Sequence, residues 1–148
     1  MRRITFTIII LTATAAQATS NVKPIALHPE NPHYFLFRGK PTVLITSAEH
    51  YGAVLNLDFD YVTYLNELRK YGFNLTRIFS GDYAEGPGFF NYPTTQPLVP
   101  PSGRLIAPWA RSSTPGYAGG GNRFNLNAWD TNYFNRLKDF ITQAGNGN

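Results

Sequence analysis

The order of elements along the chain predicts an α/β fold with an incomplete parallel sheet. Three observations carry that expectation. A strand, a helix and a second strand follow an N-terminal hairpin; a capped helix lies near the end of the chain; and the stretch Gly72-Phe73-Asn74-Leu75-Thr76-Arg77-Ile78-Phe79-Ser80-Gly81 reads as a short buried strand holding one cation. Strands alternating with helices make βαβ units, and βαβ units make parallel sheets.

Residues 1–18 stand apart from the fold. Arg2 and Arg3 form a basic start, residues 4–13 an apolar core, and Ala16-Gln17-Ala18 a small-x-small cleavage site. This is the pattern of a secretory leader, and it predicts secretion or export to a periplasm. The apolar stretch is too short to span a bilayer, and no later one is long enough. Without cysteine there is no lipid anchor at the cleavage site, no disulfide and no thiolate metal site. Residues 19–148 are then read as one partial domain.

Residues 33–37 and 42–46 are two short strands around the turn Arg38-Gly39-Lys40-Pro41, a hairpin centred on Gly39. Residues 28–32 are loop, because Pro29 and Pro32 fall within them. Residues 58–71 form a helix: Asp58 is the expected N-cap, Leu57 and Val62 the staple, and Phe59, Val62, Leu65 and Leu68 the core stripe. Gly72 supplies its left-handed stop.

The strand at 73–79 follows. Leu75, Arg77 and Phe79 share one of its faces. A charge on such a strand is expensive unless something anionic meets it, which marks Arg77 as a candidate site residue. Residues 80–129 show no clear period, and their seven prolines and eight glycines predict a long loop. The second helix covers 131–144, with Asp130 as cap, Trp129 and Phe134 as staple, and Phe134, Leu137, Phe140 and Ile141 as core face. Two βα units and a hairpin leave a parallel edge unpaired. That predicts the N-terminal part of a larger domain, and a marginal stability for residues 19–148.

Removing the leader takes two of the 13 basic residues and leaves 11 against 9 acidic ones. So mild a balance, without a basic cluster, argues against nucleic acid or a membrane surface as partner. His28, His33 and His50 match no familiar ligand spacing, so neither a metal nor another cofactor is expected. Gly119-Gly120-Gly121 is a turn rather than a phosphate loop, since no Lys-Ser/Thr follows it. Asn74-Leu75-Thr76 fits a glycosylation sequon, discounted because it falls in a predicted buried strand.

Three segments, Gly72-Phe73-Asn74-Leu75-Thr76-Arg77-Ile78, Thr46-Ser47-Ala48-Glu49-His50 and Ala107-Pro108-Trp109-Ala110, resemble secreted cellulase-type glycoside hydrolases. These are retaining enzymes of the clan that includes glycoside hydrolase family five. The resemblance runs over roughly 28–144 and implies the first quarter to third of a (β/α)8 TIM barrel: the hairpin entry plus the first two βα units. It implies that Arg77 points into the barrel and orients the nucleophile. Glu49 and His50, just beyond the first strand, then lie on the rim of the site, either contacting sugar hydroxyls or serving as a loop-anchoring salt bridge and a surface histidine, and Asp82 could meet hydroxyls. Trp109 is the best candidate among the loop aromatics for stacking on a sugar ring, and Arg111 and Glu85 could also meet hydroxyls.

Retention needs two carboxyl groups about 5–5.5 Å apart. The family carries them on its fourth and seventh strands, which fall beyond Asn148, so no residue of this sequence is assigned as acid/base or nucleophile. The expected activity is hydrolysis of O-glycosyl bonds in a poly- or oligosaccharide, absent from residues 1–148 by themselves. The rival expectations are a non-catalytic carbohydrate-binding fragment and a small α/β module unrelated to sugars.

Overall fold

The computed structural model describes residues 23–46, 52–79 and 100–146. The chain divides into two compact units, one ending at Val43 and the other beginning at Leu44.

The first unit holds three short antiparallel strands in the order β1-β2-β3: β1 (Ala26–Leu27), β2 (Phe35–Phe37) and β3 (Lys40–Thr42). Phe37 pairs with Lys40, so the turn is the two residues Arg38 and Gly39. Their φ angles, 50° and 78°, are both positive, as a type I′ turn requires. Arg38 bears the left-handed strain and sets its guanidinium 5.1 Å from the centre of the Phe37 ring. The loop between β1 and β2 is braced by His28, whose Nδ1 accepts from the amides of Glu30 and Asn31 at 3.3 and 3.2 Å.

The second unit contains α1 (Gly52–Leu55), α2 (Tyr61–Lys70), β4 (Trp109–Pro115), β5 (Asn122–Trp129) and α3 (Thr131–Gly145). Its core is centred on α1, a single turn whose Ala53, Val54 and Leu55 are fully buried. Leu65 of α2, Leu105, and Tyr133 and Phe140 of α3 close around it. Burying a Val or Leu side chain contributes about 1.5–3 kcal/mol each.

So short a helix keeps one bond of its own, from Asn56 N to Gly52 O at 2.9 Å, and leaves the carbonyls of Ala53, Val54 and Leu55 without helical partners. Each of these is satisfied from elsewhere. Leu55 O accepts from Ile106 N at 2.9 Å. The Arg136 guanidinium, reaching over from α3, donates to Ala53 O and Val54 O at 3.1 Å each. It also reaches Asn56 O at 2.9 Å and Phe59 O at 2.8 Å. Arg136 is thus the polar complement of a buried helix end.

Helix α2 begins two residues later than the sequence predicts. Asp60, not Asp58, is its N-cap: the carboxylate accepts from Thr63 N at 3.0 Å and from the Thr63 hydroxyl at 2.7 Å. The staple moves with it, to Phe59 and Tyr64, whose rings meet edge-on at 5.6 Å. Asp58 instead pairs with Arg104 at 2.7 Å. The end of α2 is as read: Gly72 has φ +76°, with Gly72 N on Arg69 O at 3.1 Å and Phe73 N on Leu68 O at 2.9 Å. Those are the two bonds of a Schellman stop. Asp130 caps α3 through Asn132 N at 2.9 Å, and Trp129 meets Phe134 edge-on at 5.8 Å.

The expectation of a partial (β/α)8 barrel is overturned. Both sheets are small and antiparallel, of three and two strands, and no parallel strand pair occurs among the described residues. The architecture is mixed α and β. Strand β3 ends at Thr42, so the strand predicted over 42–46 does not form beyond its first residue, and residues 73–79 form no strand. What joins the two segments is local to Ile45: its carbonyl accepts from Asn74 N and Leu75 N at 3.0 and 3.1 Å, and its amide donates to Asn74 Oδ1 at 2.7 Å. An asparagine side chain thus takes the Ile45 amide that a parallel ladder would use. The second half of the predicted long loop is instead the β4–β5 hairpin, paired Trp109 to Trp129, Arg111 to Phe124 and Pro115 to Asn122, with bulges between the pairs.

Candidate functional site

Of the sequence-predicted site residues, Arg77, Trp109 and Arg111 are among the described residues. Glu49, His50 and Asp82 lie outside the described residues, as do Glu85 and the predicted cleavage site. Arg77 is exposed and sits on an irregular segment, with its guanidinium 5.5 Å from the centre of the Phe79 ring. That contact fits the shared face of residues 77 and 79 but not a buried strand. Trp109 is half-buried at the start of β4 and stacks on Trp129. Arg111 is committed to the hairpin: its guanidinium lies over the rings of Phe124 and Tyr117, 3.9 and 4.8 Å from their centres. It also donates to Asn122 O at 2.6 Å and Leu105 O at 2.8 Å.

The described carboxylates are largely structural. Asp58 pairs with Arg104, Asp60 and Asp130 cap helices, and Glu67 pairs with Lys70 at 3.2 Å. Asp139 accepts from the Tyr61 hydroxyl. Burial first, then this bond, pushes the Tyr61 phenol above its ordinary pKa. Among the described residues, no group of three or more His, Cys, Asp or Glu is placed to hold a metal ion.

A small cleft opens between α2, the end of α3 and residues 73–76, lined by Leu65, Leu68, Arg69, Phe73, Thr76 and Ala144 among others. Its volume is about 90 Å³. Ligand pockets run to about 300–1,000 Å³, so this cleft is too small for a sugar ring.

The surface that stands out is aromatic. The rings of Trp109 and Trp129 stack at 6.4 Å with 20° between their planes, and Phe134 meets the edge of Trp129. Two features of the sequence fix Trp129 there. The Trp109–Trp129 pair ends the ladder, and Asp130 follows at once as the cap of α3, its amide held by Pro108 O at 2.8 Å. The chain therefore turns from strand to helix directly beside the indole. Trp129 remains 69% exposed. A staple needs only an apolar group at this position, and an isoleucine would serve. An indole that is mostly in solvent exceeds that need.

The strict alternation of Phe124, Leu126 and Ala128 with Asn125 and Asn127 is the signal for β5. It lay inside a segment read as loop on its glycines and prolines. Chemically, the cluster can stack on an apolar ring face. It offers no acid or base. No family model matches the chain, and neither a curated protein nor a solved structure does.

Proposed function

We propose that the chain binds carbohydrate outside the cytoplasm, by stacking sugar rings on the Trp109–Trp129 pair. The observation that carries this reading is the exposed Trp129 indole, held by strand register on one side and a helix cap on the other. Rigid aromatic faces suit the C–H faces of pyranose rings, and a rigid platform loses little entropy on binding. The leader-like residues 1–18 support delivery to a compartment where poly- and oligosaccharides are met.

Calorimetric titration of the purified chain with gluco-, xylo- and manno-oligosaccharides tests the proposal. Saturable binding is expected, quenching tryptophan fluorescence. Trp129→Leu keeps an apolar staple and removes the indole. It should weaken binding by about tenfold or more, about 1.4 kcal/mol, while the melting temperature barely moves. Binding that survives this substitution would place the ligand elsewhere.

The resemblance of residues 72–78 to cellulase-type enzymes favours a second reading, glycoside hydrolysis, without the barrel role for Arg77. Release of reducing ends from the same oligosaccharides would establish it. Binding without release leaves the first reading alone.

A further inference from the structure

Asn74-Leu75-Thr76 is the one Asn-x-Ser/Thr triplet in the sequence. The predicted strand that argued against it does not form. Asn74 follows the Schellman stop of α2, is exposed, and lies on a segment outside helix and sheet. A surface segment of this kind is where a sequon in an exported protein can carry sugar.

We propose that Asn74 is an N-glycosylation site. Oδ1 accepts from Ile45 N at 2.7 Å, and glycosylation leaves that carbonyl intact. The donor is an oligosaccharide linked to a lipid through a diphosphate. Nδ2 attacks the anomeric carbon; the carbon–nitrogen bond forms as the bond from that carbon to the phosphate oxygen breaks. Nδ2 gives up one proton, and the lipid diphosphate leaves.

A second observation gives the modification a physical role. Tyr71, Leu75 and Ile45, which flank Asn74 in sequence or hydrogen-bond to it, are 66%, 39% and 48% exposed. A glycan here covers apolar surface that otherwise meets water and favours association. The inference rests on export but not on carbohydrate binding.

The test is expression of the full chain in a eukaryotic secretory host, once with residues 1–18 and once with the host's own leader. The secreted wild type should show one discrete mass increment, removed by an amidase that cleaves at glycosylated asparagine. Thr76→Ser keeps both the sequon and the 2.6 Å hydroxyl pair with Tyr64, and should keep the increment. Thr76→Ala should lose it. Tyr64→Phe breaks the same hydroxyl pair but leaves the sequon, and should keep it, which separates loss of the sequon from loss of the contact. Deglycosylated protein should aggregate at lower concentration than the glycosylated form. A glycan seen only with the host leader overturns the export reading of residues 1–18 and leaves the site standing. Wild type secreted without an increment, or an increment that persists in Thr76→Ala, overturns the site.

Discussion

Arg136 shows how much one polar side chain can settle. It lies on α3, yet four of its hydrogen bonds end on carbonyls of residues 53–59, and its guanidinium lies 4.6 Å from the centre of the Tyr61 ring. Burial lowers its pKa from the ordinary arginine value, a direction that leaves so strong a base charged at neutral pH. Arg136→Met should orphan the carbonyls of Ala53 and Val54. An unsatisfied buried carbonyl costs about 1–3 kcal/mol, so a loss of about 2–6 kcal/mol is expected in urea denaturation. Arg136→Lys should recover part of it, since an ammonium has no planar fork. If both variants melt with the wild type, Arg136 is not the partner of those carbonyls. Gly120 is a second decisive residue. Its φ is +89°, and a Cβ there would lie 2.0 Å from Ser102 Oγ and 2.9 Å from Ser102 Cα. Gly120→Ala therefore meets backbone as well as a movable hydroxyl. It should cost more than Gly103→Ala, where φ is +74° but no atom lies within 4 Å of the new Cβ.

At the scale of elements, most helix ends and the Gly39 hairpin are legible, and the remaining strands are not. Gly72 announced the Schellman stop, and Trp129-Asp130 announced the start of α3, because caps and staples are local chemistry. The start of α2 was misread by two residues. Asp58 and Asp60 are both good caps, and only tertiary structure, the pairing of Asp58 with Arg104, breaks the tie. Core faces shifted for a related reason. Tyr133 and Phe140 point inward on α3, while Phe134 and Ile141 remain 43% and 60% exposed. Helix α1 escaped notice because a single turn has no period to read. Hairpin β4–β5 escaped because bulges and glycines disguise its alternation.

The cap of α2 also predicts a pH dependence. Hydrogen bonds from the Thr63 amide and then its hydroxyl hold the Asp60 carboxyl below its ordinary pKa of 3.8. The unfolded state therefore binds the proton first. The stabilisation is present above about pH 4 and is lost as pH falls through the folded-state value. Asp60→Asn keeps an acceptor for the Thr63 amide, and should flatten the acid limb of a stability–pH profile. An unchanged limb would remove Asp60 as its source. Tyr61 and Tyr133 act at the other end. Both phenols have pKa values raised from 10.0, with burial the leading cause. Stability is then complete below about pH 10 and falls as pH rises through the folded-state values. Tyr61→Phe should shift that alkaline limb.

The two units of the chain differ in what holds them. In the first, three strands of two or three residues place Leu27 and Phe35 at 60% and 37% exposure, and none of its described residues is buried. Its order rests on the type I′ turn and a few ladder bonds, and a small sheet without a covered face is marginal by itself. The second has a continuous cluster around α1 and a paired partner for each of that helix's carbonyls. Opening it means exposing Val54, Leu55 and Tyr133 together and breaking Arg136's hydrogen bonds at the same time, the behaviour of a cooperative unit. Native-state hydrogen exchange should therefore resolve two classes of amide. Those of Leu57 and Ile106, which bond Arg104 and Leu55 across the core, and of Asn56, which closes α1 on Gly52, should exchange about a hundredfold or more slowly than those of β2 and β3. Arg136→Met should collapse the first class toward the second while leaving β2 and β3 unchanged. Equal protection in the two units of the wild type would mean that the hairpin unit draws stability from packing beyond its own strands, and that burial around α1 is not what sets the stability of this chain.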